Sequence, residues 1–159
     1  YMDAQTYCNR VETTVLDDDF ETLSDEESSE FGPVWRKRTE DPTIGITEVF
    51  VTVVDAEGFD TDSIEETASA FRTLLTEAAP TKPGSMENLF GYVGFAVPDP
   101  SEELIEFATE EYTVADRRTN VFPLIYDTED ETLHIHTVPR LKGRGFYEKQ
   151  KFDAEALLE

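Results

Sequence analysis

The chain has 159 residues and a mass of 18.0 kDa, enough for one domain with a substantial core and too short for two ordinary ones. Its 36 acidic and 13 basic residues give a formal charge of −23, and one cysteine, Cys8, excludes an internal disulfide and a cysteine-rich zinc site. Eleven Phe, six Tyr and one Trp supply core material that disordered acidic chains lack, and no apolar run approaches the ~20 residues of a membrane span. A cytoplasmic, single-domain protein over residues 1–159, with no membrane association, is expected.

In chain order, Tyr7, Val11 and Val15 fall at i, i+4 and i+8 and predict an amphipathic helix from Asp3 to about Asp18. Residues 17–30 hold eight acids in fourteen positions and read as a solvated connection anchored by Phe20 and Leu23, with room for a short helical turn. Phe31 to Arg38 and Ile46 to Val54 predict a hairpin around the turn chemistry of residues 39–45. A helix over 61–78 follows, with Asp60 or Ser63 as cap and Ile64, Ala68, Phe71, Leu74, Leu75 and Ala78 inward. Pro80 to Ser85 breaks it.

Leu89 to Val97 is a nearly continuous apolar run, the pattern of a strand covered on both faces. Gly91 and Gly94 inside it mark a bulge or a close helix approach. Asp99-Pro100-Ser101-Glu102 predicts a helix start with Asp99 as cap, Pro100 in the first turn and Glu102 reaching back, and the helix runs to about Tyr112. Val121 to Asp127 and Thr132 to Val138 predict a second hairpin, and Asp153 is read as the cap of a short last helix within the basic C-terminal segment 139–159. The order α-β-β-α-β-α-β-β-α gives an α+β, α/β-like fold with a mixed five-stranded sheet and helices packed on it. A ferredoxin-like split arrangement with an added hairpin is the alternative.

The acids are spread along the whole chain, lysine is scarce (five against eight arginines), and 19 threonines fill polar positions. This pattern resembles the cytoplasmic proteins of salt-in halophilic archaea. At molar salt the screening length falls to ~3 Å, so repulsion that would strain the fold in dilute buffer is largely silenced. Against that background residues 140–151 stand out, with five basic residues and one acid: +4 locally, and −27 for the remainder. Arg140, Lys142, Arg144, Lys149 and Lys151, interleaved with Gly143, Gly145, Phe146 and Tyr147, suit an anionic ligand or a contact with acidic surface on the same or a second subunit. Phosphate-based binding loses ~10³–10⁵ in affinity over a modest rise in salt, which argues against nucleic acid as the partner.

His134 and His136, the only histidines, sit two apart on a predicted strand and so share a face, where they present two imidazoles to one metal, with Asp127 as a possible third ligand. No further spaced ligand set, nucleophile elbow, phosphate loop or cofactor motif accompanies them. The sequence therefore points to a non-catalytic binding or regulatory module that associates with itself. The alternatives are a metal-dependent hydrolase or nuclease built on His134 and His136, and an acidic surface for a basic protein.

Overall fold

Asn88–Val97, here β4, consists almost wholly of apolar side chains and glycine, and all ten residues are buried in the computed structural model. The structure describes residues 2–28, 31–42, 45–79, 87–116 and 118–159. Such a strand has no face to offer water, so it demands a neighbour on each edge and a helix layer on each face. Its parallel neighbours are β3 (Gly45–Asp55) and β6 (Thr119–Asp127). Beyond β3 lie β2 (Val34–Asp41) and β1 (Glu21–Thr22), both antiparallel. On the far edge of β6, β5 (Ala115–Asp116) pairs near its start and β7 (Thr132–His134) near its end.

Two helical connections build the parallel core. Helix α3 (Thr61–Ala78) joins β3 to β4, and α4 (Glu102–Glu106, continued by a π-helical turn over Phe107–Glu111) leads towards β6. Because the sheet grows in one direction, β3 to β4 to β6, connections of one hand lay both helices on the same face. Ile64, Phe71 and Leu75 of α3 and Leu104 and Ala108 of α4 accordingly share a core with Leu89, Val93 and Phe95. The opposite face must be covered by elements outside the crossovers. Those are the end helices, α1 (Ala4–Asp17) and α5 (Arg144–Leu157). Tyr7, Val11, Val15, Ala154 and Leu157 pack there on Phe90, Tyr92 and Ala96.

The two glycines of β4 let helices approach from both sides. A Cβ at Gly91 would stand 2.8 Å from Leu75 Cδ2 and 3.0 Å from the Phe71 ring, while one at Gly94 would stand 3.2 Å from Leu158 Cδ2 and 3.4 Å from the Tyr7 hydroxyl. Of the two roles expected for these residues, close helix approach is the one observed. Tyr7 then joins the two end helices: its hydroxyl donates to the Leu158 carbonyl, and its ring stacks on Tyr126 at 3.8 Å.

Several expectations need correction. The sheet has seven strands, not five. The added ones, β1 and β5, are two residues long and exposed, so neither periodicity nor apolar content could signal them. The connection 17–30 contains β1 and the single-turn helix α2 (Asp25–Ser28), capped by Ser24. β3 and β4 are immediate neighbours, whereas a split arrangement inserts a strand between them, so the ferredoxin-like alternative does not hold. β7 stops at His134 rather than Val138. The last helix is long, not short: it runs Arg144–Leu157 behind Gly143, whose φ of 78° suits glycine, and Asp153 lies inside it. The break at Pro80 to Ser85 falls outside the described residues.

The cap of α4 also shifts. Asp99 adopts φ 46°, a left-handed conformation unsuited to capping, and Ser101 accepts from the Leu104 amide instead. Ser101→Ala should therefore lower stability by roughly 0.5–2 kcal/mol, the usual worth of such a cap. Asp99→Gly should leave it equal or higher, because glycine accepts positive φ without strain. Chemical denaturation of both variants reads the difference, and the reverse ranking would restore Asp99 as the cap.

Candidate functional site

The two histidines part company. His134 ends β7 opposite Ile125 and is half-exposed. His136 lies past the strand and is buried, with its ring edge-on to Phe122 at 5.2 Å. Its Nε2 lies 3.0 Å from the Pro123 carbonyl, and since a carbonyl only accepts, Nε2 carries the proton. This ring fills the stretch of the β6 edge between β5 and β7, where strand pairing lapses.

Gln150 of α5 completes the arrangement. Its Oε1 accepts from the His136 amide at 2.8 Å, and its Nε2 donates to the carbonyls of Tyr147 and His136. The side-chain amide thus does for residue 136 what a neighbouring strand would do, and it ties α5 to the sheet. Asp127, the possible third ligand, accepts from the amides of Glu129 and Asp130 and so closes the β6–β7 turn. Among the described residues no group of three or more His, Cys, Asp or Glu side chains is placed to hold a metal ion.

Burial pushes the His136 imidazole down to about 4 from its ordinary 6.5. A base with a lowered folded-state pKa is neutral when folded, so its contribution to stability is fully present above pH 6.5 and is lost as pH falls from 6.5 towards 4. The slope in that window reaches ~1.4 kcal/mol per pH unit. Between pH 6.5 and 5 most carboxylates stay ionised, which isolates the effect. His136→Gln keeps a donor for Pro123 without the titration, so its stability should be flatter over that range. An NMR signal of His136 that titrates near pH 6.5 would overturn this placement.

The basic segment divides into three parts. Arg140 and Lys142 flank Leu141 in the loop before α5, and all three are exposed. Arg144 pairs with Glu148 one turn along the helix at 2.6 Å. Lys149 turns inward: its ammonium lies 3.1 Å from the Asp153 carboxylate and 5.6 Å from the centre of the Phe90 ring, with the two charged side chains only 10% and 13% exposed. Lys151 is exposed on the outer face. Among the described residues, Arg140, Lys142 and Lys151 make no ion pair with their own chain.

The Lys149–Asp153 pair belongs to a cleft that sequence reasoning missed. Tyr92, buried in β4, donates its hydroxyl to Asp153 at 2.8 Å, and Lys37 of β2 meets Asp18 at 3.4 Å across the opening. The hollow holds about 460 Å³ and is walled by Glu148 and Phe152 of α5 on one side and Thr39 and Glu40 on the other. Burial raises the Asp153 carboxyl despite the lysine beside it, and burial holds the Tyr92 phenol far above its usual range. Both lysines at the cleft are thus matched by a carboxylate. Only the i, i+4 spacing of Lys149 and Asp153 was visible in the sequence; the tyrosine sits 61 positions away.

On the other face, Arg72 of α3 donates to the carbonyls of Thr113, Val114 and Thr119 and holds the link from α4 to β6. Cys8 is half-buried, and burial together with Glu12 raises its pKa, so the thiol stays protonated. The exposed large apolar side chains remain. Leu141 and Phe152, 89% and 74% exposed, stand far above Leu16 and Ile46, at 45% and 36%. Both lie in or beside the basic segment.

The chain matches no protein-family model, no curated protein and no solved structure.

Proposed function

We propose that this chain is a non-catalytic binding module of a concentrated-salt cytoplasm, of the kind found in salt-in halophilic archaea, and that its contact surface is the basic C-terminal segment. The observation that carries the reading is Leu141, the most exposed large apolar side chain among the described residues, which also give its neighbours Arg140 and Lys142 no ion pair. Leucine at that exposure gains nothing within its own chain. Two cations beside it, in a chain otherwise at −25, select a partner surface that is acidic around an apolar recess.

Magnitudes decide which part of this contact matters in salt. Each exposed ion pair contributes ~0–1 kcal/mol and less as screening tightens, whereas burying a leucine contributes roughly 1.5–3 kcal/mol and persists at high ionic strength. The apolar tip therefore supplies affinity and the flanking charges orient it. The alternative of an anionic small ligand has less support, because Arg144 and Lys149 are held by Glu148 and Asp153 within their own helix.

Two measurements test the reading. A fluorescent peptide of alternating glutamate and leucine blocks, titrated in 0.5 M KCl, should bind the native chain and lose at least tenfold in affinity with Leu141→Asp. Unchanged binding by that variant would sink the proposed surface. The melting temperature between about 0.1 and 3 M KCl should rise steeply, since screening removes the repulsion among 36 acids on 159 residues. A flat curve would show that the acidity serves a basic partner rather than the solvent.

A further inference from the structure

The face opposite α5 carries a recess of the chemistry that Leu141 calls for. Between α2 and α3 lies a hollow of about 620 Å³ whose apolar lining comes from Phe31, Ala70, Leu74 and Ala78. Its rim is Glu26, Glu27 and Glu77, all exposed. A second hollow of about 470 Å³ adjoins it, sharing Phe31 and Ala70 and edged by Asp55 and Glu66. Among the described residues no lysine or arginine lines either one.

These features sit on opposite sides of the sheet. The hollows follow α3, which covers one face, while Leu141 leads into α5, which covers the other. The apolar tip of one chain therefore faces away from its own recess. The charges are of opposite sign: Arg140 and Lys142 flank the leucine, and Glu26, Glu27 and Glu77 surround the apolar part of the recess. Resting on the binding reading above, we infer that the partner is a second copy of this chain, with Leu141 of one copy seated in the α2–α3 recess of the next.

A contact between two different surfaces of identical chains is heterologous, so each added copy leaves one tip and one recess unused. Association then continues beyond a dimer unless the geometry closes a ring. That property separates this contact from a two-fold dimer, in which each copy offers the same patch.

The test uses two variants, each lacking one half of the contact. Leu141→Asp removes the tip, and Ala70→Arg fills the recess and sets a cation against the incoming Arg140 and Lys142. Both positions lie away from fully buried core, and melting curves confirm that each variant is folded. By sedimentation velocity in 1–2 M KCl, the native chain should form species larger than a dimer as its concentration rises to about 1 mM. Each variant alone should stay monomeric to at least tenfold higher concentration than the native chain. Mixed, they should form a one-to-one dimer and nothing larger, because only one tip and one recess survive.

Crossed charges give a second reading. Arg140→Glu with Lys142→Glu on one chain should weaken association, and a partner with Glu26→Lys and Glu77→Lys should restore it. A native chain monomeric at every concentration and salt, while still binding the glutamate–leucine peptide, would overturn the second copy as partner and leave the binding surface standing. Association that survives both single variants, or variants that fail to complement in the mixture, would overturn the tip-in-recess contact itself.

Discussion

A single strand with no polar face governs this structure. Every residue of β4 is buried, so the sheet must extend on both edges and helices must cover both sides. The crossover helices can protect only one of those sides. Protection of the other depends on α1 and α5 from the two ends of the chain, which are joined by the Tyr7 hydroxyl on the Leu158 carbonyl. Gly94 makes that closure feasible by leaving room for both. One face of the sheet is thus covered by α1 and α5, and segments that look peripheral in the sequence are structural.

That dependence ties the C-terminal basic stretch to the sheet. Gln150 reaches from α5 to the backbone of residue 136, and the half-buried Lys149 and Asp153 pack against Phe90 and Tyr92. The inner face of α5 is therefore packed on the sheet, which leaves Lys151 and Phe152 on its outer face and Leu141 in the loop that leads into it.

The charge distribution follows the same division. Acids occupy the exposed faces of α2 and α3, where they frame an apolar recess, while Arg140 and Lys142 stand in front of α5 on the other side. A protein so acidic overall repels its own kind in dilute buffer. Concentrated salt removes the long-range repulsion and leaves short-range apolar contact as the selective force. The proposed self-contact suits that solvent, since most of its affinity rests on leucine burial rather than on ion pairs.

The elements legible from sequence are those whose signal is local. The i, i+4 spacing of Tyr7, Val11 and Val15 marked α1, Asp60 and the apolar stripe marked α3 residue for residue, and the unbroken run from Leu89 to Val97 marked a strand covered on both faces. The cations at 140–151 were visible as an exception to the acidity. Tertiary structure decided the rest. Two-residue strands exist only because a neighbour's edge is there to pair with. Spacing by two put His134 and His136 on one face only while the strand lasted, and it ends at His134 because the edge beyond is closed by the His136 ring and by Gln150. Whether a lysine is buried beside an aspartate or left in solvent depends on what lies beneath its helix. Lys149 sits over Phe90 of β4 and pairs with Asp153, whereas Lys151, two residues on, points outward. Composition carries no record of such long-range partners, because the contacts that select them join residues far apart in the chain.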